Sequence, residues 1–174
     1  MISIKKVDIT QLDTDAIVNA ANDGLWAGGG VCGAIFRAAG YDALTKACEE
    51  IGGCQTGSAV ITPGFNLKAK NIIHAVGPRW QGGNNNEQAD LYHCYMKSLE
   101  LAFENDIHSI AFPLISSGIF GYPKEDAWEV AITACKDFTE ACPSYELDIV
   151  FAVLDDGILE MGQKFLNRII TKND

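Results

Sequence analysis

Asn19-Ala20-Ala21-Asn22 with the following Gly28-Gly29-Gly30-Val31-Cys32-Gly33, and Ser116-Ser117-Gly118-Ile119-Phe120-Gly121-Tyr122-Pro123, are the stretches on which the fold turns. Each follows an apolar run, at 16–18 and at 109–113, and each leads towards a predicted helix. Glycine lets the backbone reach positive φ and lets a ligand approach main-chain N–H groups closely. A strand–glycine loop–helix unit places unpaired N–H groups and the positive end of the helix dipole together, which favours an anion. Two such loops in one chain predict a clamp for a diphosphate. The plainer reading is that the glycines only mark tight turns.

Further strand-like runs lie at 2–7, 58–62, 71–76 and 147–154. Several are near-continuous apolar stretches, as expected of a sheet covered on both faces. Helical spacing alternates with them. Between 88 and 105, Leu91, Tyr95, Leu99 and Phe103 recur every four residues, with Ala102 alongside. Between 123 and 141, Ala127, Val130, Ala131, Ala134 and Phe138 trace one face. Pro123 suits the first turn of that helix, and Glu125 and Asp126 complement its dipole. A last helix is predicted to start near Asp155 or Asp156 and to bury Leu159, Phe165, Leu166 and Ile169. Alternating strands and helices predict a three-layer α/β domain. Gly82-Gly83-Asn84-Asn85-Asn86 reads as a surface loop. There is no internal repeat, low-complexity tract or linker, so residues 1–174 are expected to form one domain.

The 174 residues carry a formal net charge of −10. Such a chain repels nucleic-acid backbones, and its 13 lysines and arginines are scattered, so a polynucleotide is not expected as the main partner. A small phosphate ligand remains compatible, since main-chain N–H groups bind it without basic side chains. Nowhere do roughly 18 apolar residues run together as a membrane span requires. The N-terminus lacks the order of a signal peptide, which makes the cytoplasm the expected location. The six cysteines include no C-x-x-C pair and are expected to be reduced, mostly buried thiols. There is no H-E-x-x-H or similar motif, and neither a metal nor a cofactor is expected.

Val7-Asp8-Ile9-Thr10, Asn19-Ala20-Ala21-Asn22, Gly28-Gly29-Gly30-Val31, Asn71-Ile72-Ile73-His74-Ala75-Val76-Gly77-Pro78 and Ser117-Gly118-Ile119-Phe120-Gly121-Tyr122-Pro123 occur in this order. Together they resemble the macro domain family, which binds ADP-ribose, over nearly the whole chain. The likeness is greatest to the bacterial and mitochondrial branch, which removes ADP-ribose from acidic side chains and deacetylates O-acetyl-ADP-ribose. The resemblance implies an α/β/α fold around a mixed, mostly parallel sheet, acting as a monomer. It implies that Asp8 accepts from the adenine 6-amino group beside the Ile9 N–H, and that Leu154 flanks the base. It also implies that Asn22 orients the distal ribose, with an amide that both donates and accepts. Gly28, Gly29, Gly30 and Val31 would wrap the distal ribose and one phosphate. Ser117, Gly118, Ile119, Phe120 and Gly121 would wrap the diphosphate from the other side as an anion nest. Phe120 would lie against the distal ribose. Asn22, Gly30 and Cys32 are the candidate catalytic positions. Read without the family, Asp8 is a turn or N-cap aspartate and Asn22 a loop asparagine; Asn19 is expected to hold the turn. His74 is read as architectural, and Trp26 and Trp80 either border the cleft or serve as core or rim packing.

Three positions depart from the family pattern. Cys32 stands where the hydrolytic branch commonly has an aspartate that positions or deprotonates the attacking water. A thiol with an ordinary pKa near 8.5 is mostly neutral at pH 7 and does not replace a carboxylate. It is expected to serve as a small, partly buried spacer, the other reading being a nucleophile. A neighbouring phosphate is proposed to help activate water in this family, and some viral macro domains with Gly-Val-Cys here are hydrolases. Leu154 stands where many relatives carry an aromatic residue, which forgoes stacking worth about 1 kcal/mol. Phe36 stands where close relatives often have histidine. Three functions follow as expectations: hydrolysis of ester-linked ADP-ribose on protein Asp or Glu or in O-acetyl-ADP-ribose; recognition of ADP-ribose without turnover; or a different nucleotide phosphatase or interaction module.

Overall fold

The computed structural model describes residues 1–172. Its strands are β1 (Ile2–Lys6), β2 (Ala16–Ala21), β3 (Ala59–Pro63), β4 (Asn71–Val76), β5 (Ser109–Phe112) and β6 (Asp148–Val153). Its helices are α1 (Gly30–Ala39), α2 (Tyr41–Ile51), α3 (Glu87–Glu104), α4 (Lys124–Ala141) and α5 (Asp156–Lys172), with a short 3-10 turn over Ile9–Gln11. The strands form one sheet in the order β1-β6-β5-β2-β4-β3. Every neighbouring pair is parallel except β3 with β4, so the sheet is mixed and mostly parallel, as the sequence implied.

The pleat explains why these strands are apolar throughout. Side chains alternate between faces, and both faces are covered. Ala16 and Val18 of β2 face a core built with α3, α4 and α5, whereas Ile17 and Ala21 face a second core built with α1 and α2. In β6, Ile149, Phe151 and Val153 enter the first core and Ala152 the second. Each fully buried Ile, Leu or Phe contributes about 1.5–3 kcal/mol, which is why these runs tolerate almost no polar residue.

Gly162 shows how the first core closes. A Cβ there would lie 2.6 Å from the Trp128 ring, so the bare backbone of α5 admits the indole of α4. A mid-helix glycine costs about 1 kcal/mol relative to alanine. Burying the whole Trp128 side chain outweighs that, and its Nε1–H donates to Ile158 O at 3.0 Å. Asp155 starts α5, its Oδ1 accepting from Ile158 N–H at 3.0 Å.

Several expectations need correction. Phe103 lies on the predicted stripe but is 52% exposed, because α3 ends one residue later and its ring packs on Tyr145 instead. Of the apolar residues assigned to α5, only Leu166 is fully buried; Leu159, Phe165 and Ile169 are half-buried at the edge of the core. Pro123 is the N-cap of α4 rather than part of its first turn. Helix α2, not expected from the sequence, buries only Leu44 and Cys48. All six cysteines are free, and four are buried.

The largest revision concerns Asn19. It does not hold a turn: β2 continues to Ala21, and Asn19 sits opposite His74 of β4. Asn19 Nδ2 lies 3.0 Å from His74 Nδ1, and His74 Nε2 lies 2.9 Å from Thr62 Oγ1 of β3. The three side chains make a buried polar ladder across β2, β4 and β3, so His74 is architectural as read. Burial disfavours its charged form and lowers its pKa from 6.5 to about 4.

Candidate ligand-binding edge

Five parallel strands end at the same edge, and their following residues line it in strand order: Asp8 after β1, Leu154 beyond β6, the 114–121 loop after β5, Asn22 after β2, and Gly77 after β4. Strands β5 and β2 are neighbours, yet the chain leaves β5 for α4 on one face and β2 for α1 on the other. Such a topological switch point opens a crevice beyond the strand ends, the general location of ligands in open α/β sheets. Both glycine loops flank it.

The loops face each other. A Cβ on Gly29 would stand 3.4 Å from Ile119 Cδ1, so an isoleucine methyl bridges the crevice. Gly29 is the N-cap of α1 without a side-chain cap, and Gly30 opens the helix at φ 59°, a conformation costing an L side chain about 1–2 kcal/mol. The first-turn N–H groups of α1 thus point into the crevice end uncapped. Opposite them, the N–H groups of Gly118, Ile119 and Phe120 have no protein acceptor among the described residues, whereas Ser117 N–H bonds Leu114 O and Gly121 N–H bonds Gly118 O. Ser116 enters this loop at φ 68° with a buried hydroxyl that lacks a partner among the described residues. Ile119 is 81% exposed, while Ser117 is buried.

Asn22 carries more than the sequence suggested. Its Nδ2 donates to Trp26 O at 2.9 Å and its Oδ1 accepts from Trp26 N–H at 3.1 Å, closing the 22–26 turn. One amide hydrogen and one lone pair remain for a ligand. Trp26 is exposed and lies over Gly24. Cys32 is buried; its Sγ accepts from Gly28 N–H at 3.5 Å and points to Trp26 O at 3.8 Å. A Cβ on Gly28 would lie 3.7 Å from Asn22 Nδ2 and 3.9 Å from Cys32 Sγ, so the three residues converge. The thiol ties the first loop together and is more deeply buried than the partly buried spacer read from the sequence.

At the far end, Asp8 caps the 3-10 turn: its Oδ1 accepts from Thr10 N–H at 3.0 Å and from Thr10 Oγ1 at 2.7 Å. The N-cap role is therefore real, and the exposed carboxylate has no protein partner on Oδ2 among the described residues. Leu154 is 74% exposed next to this position.

Beyond Phe120 lies a cleft of about 340 Å³ that sequence reasoning missed, lined by Asn22, Gly77, Arg79, Asn85, Asp90 and Phe120 among others. Trp80, half-buried, packs on Tyr122 at the rim. Glu87, also lining the cleft, is buried and accepts from Gln81 N–H at 2.8 Å, Gly83 N–H at 2.9 Å and Asn85 N–H at 2.6 Å. These bonds, with Gln81 foremost, hold its carboxyl below the usual range. An acidic residue at the first helical position was the only available signal. No cluster of three His, Cys, Asp or Glu side chains able to hold a metal occurs among the described residues, and no helix there is long and apolar enough to cross a membrane.

The macro domain family model matches residues 18–131, which hold most of β2, both glycine loops and the switch point. The chain belongs to the macro domain family. A macro domain-containing protein of Chlorobaculum tepidum is 50% identical over 161 residues, covering 92% of each chain. ADP-ribose glycohydrolase MACROD2 of Xenopus laevis is 47% identical over 173 residues, covering 99% of this chain and 41% of that protein. Among solved structures, the Oceanobacillus iheyensis macrodomain with ADP superposes at a TM-score of 0.91, with 36% identity, covering 97% of this chain and 91% of that one. The Trypanosoma brucei macrodomain in complex with ADP-ribose gives 0.88 at 35% identity, covering 95% and 68%. The α/β/α architecture of this macro domain is that of those structures.

Proposed function

We propose that this macro domain binds ADP-ribose along the edge from β1 to β2 and hydrolyses ADP-ribose held in ester linkage. The esters are those on protein aspartate or glutamate and O-acetyl-ADP-ribose. The observation that carries the reading is the facing pair of loops at the switch point, with unpaired N–H groups on both sides. Fixed N–H dipoles bind a diphosphate without cations, and they stabilise negative charge that develops beside it. Names of relatives support the same ligand: one is an ADP-ribose glycohydrolase, and solved macrodomains hold ADP or ADP-ribose.

In this reading the free Asp8 oxygen accepts from the adenine amine, with Ile9 N–H beside it and Leu154 over the base. Gly118, Ile119 and Phe120 N–H groups hold the diphosphate between Ser117 and Gly121. Asn22 uses its remaining hydrogen and lone pair on the distal ribose, which packs on Phe120 and against Gly28, Gly29 and Val31. A water lodged between Gly30 and the adjacent phosphate attacks, and binding supplies its orientation. Cys32, occupied by Gly28 N–H and Trp26 O, positions the loop rather than attacking.

One observation favours a second reading, a non-catalytic reader: no carboxylate stands at position 32 to activate water. A time course of ADP-ribose release from a protein modified on glutamate, with Cys32→Ala in parallel, decides between them. Release by both proteins is the expected outcome. Binding of ADP-ribose without release would make the chain a reader, and loss of release only in Cys32→Ala would put sulfur in the mechanism.

A further inference from the structure

Adenine, diphosphate and distal ribose occupy the sheet edge from β1 to β2 in the proposed reading, which leaves the cleft beyond Phe120 unused. That cleft opens at the end of β4, the next strand along, and shares Asn22 and Phe120 with the ribose end. A group joined to the distal ribose therefore runs into it. Arg79 is the one cationic side chain on its wall. Asp23, Glu87 and Asp90 line the same cleft, yet Arg79 forms no ion pair with them, and its guanidinium has no protein acceptor among the described residues. The Glu87 oxygens are taken by the amides of the 81–85 loop. The Arg79 guanidinium instead rests 4.8 Å from the centre of the Phe120 ring. Trp80 N–H donates to Phe120 O at 2.8 Å, and the Trp80 and Tyr122 rings pack at 4.8 Å, so the backbone beneath Arg79 is pinned to the second loop. The result is an exposed cation that rests on the Phe120 face, its donors unpaired by protein among the described residues, at the boundary between ribose and cleft.

We propose that this cleft is the acyl subsite and that Arg79 is its specificity residue, a proposal that rests on the site being an ADP-ribosyl-ester pocket. Its N–H groups donate to the carbonyl oxygen of a glutamyl or aspartyl ester before cleavage and to the carboxylate after it. Hydrolysis adds one water across the ester, breaking the bond between sugar and acid; the products are the ribose hydroxyl and a carboxylic acid, which loses its proton to solvent. A planar guanidinium matches both acceptors, and the Phe120 face favours the cation. Asp23 and Asp90 repel the new carboxylate and promote its departure.

The test uses the full chain and a stable amide analogue, in which ADP-ribose is joined through nitrogen to the side-chain carbonyl of a glutamate peptide. Calorimetry gives the ratio of its Kd to that of free ADP-ribose for wild type, Arg79→Gln and Arg79→Lys. The wild type is expected to prefer the analogue about tenfold, the scale of a charge-assisted hydrogen bond. Arg79→Gln loses the preference and Arg79→Lys keeps part of it. An unchanged ratio in Arg79→Gln overturns the proposal, as does a wild type that binds the analogue no better than ADP-ribose. Failure of the wild type to bind ADP-ribose at all overturns the binding site itself. Ester turnover is followed separately, so loss of the hydrolase reading is told apart from loss of the subsite.

Discussion

Among the described residues, Gly118 has no heavy atom within 4 Å of the position a Cβ would take, although its N–H is among those left without an acceptor. The free protein therefore gives no packing reason for a glycine there. Gly118→Val is expected to fold with stability within about 0.5 kcal/mol of wild type, as for an unconstrained surface position. Its ADP-ribose affinity should fall by about 2 kcal/mol or more, as the side chain displaces a phosphate from its donors. Paired thermal melts and calorimetry separate the two effects, and normal affinity would remove the diphosphate assignment. Glycine, asparagine and aspartate at the strand ends were legible as a candidate site because each type has a distinct backbone or hydrogen-bonding use. The second task of Asn22 was not legible: closing the 22–26 turn depends on where Trp26 comes to lie.

Among the elements, the 81–86 loop is organised by one side chain from the helix that follows it. Glu87 gathers three loop N–H groups, and the ionised form is the better acceptor. Its folded pKa lies below the ordinary value, so this contribution to stability is present above the unfolded pKa and is lost as pH falls through the lowered folded one. In Glu87→Gln, hydrogen exchange of the 81–85 amides should accelerate at neutral pH while amides in the middle of α4 keep their protection. Unchanged exchange in the loop would show that the loop holds itself. Strands were legible because five of the six are parallel and most are apolar on both faces. Helix α2 was not, because Leu44 and Cys48 alone make too narrow a stripe to stand out from a polar segment. The cleft was hidden for a related reason: Arg79 and Phe120 are 41 positions apart and meet only because Trp80 bonds the second loop.

For the molecule as a whole, the Asn19–His74–Thr62 ladder links acidity to stability. The unfolded chain protonates His74 below about pH 6.5, while the folded chain resists down to about 4. Stability from this group is therefore lost as pH drops through that window, by about 3 kcal/mol in all, and levels off below it. His108 works in the opposite sense: bonds to Glu146 O and Asp106 raise its pKa, so its contribution is present below the unfolded pKa and is lost as pH rises through the folded one. Denaturant unfolding at pH 7 and 4.5, for wild type and His74→Gln, isolates the buried histidine. The variant should be less stable at pH 7 and show a flatter fall towards acid; parallel curves would show that His74 does not titrate in this way. Neither loop segment, 28–31 or 117–121, contains a lysine or arginine, and the chain carries a net charge of −10. A diphosphate therefore approaches against the long-range field and is captured near contact, by dipoles whose reach is short and by Lys124, which donates to Ser117 O at 3.3 Å. Added salt shortens the repulsion without touching those dipoles. Association should quicken as ionic strength rises, the reverse of the behaviour of a site whose phosphates are met mainly by lysines.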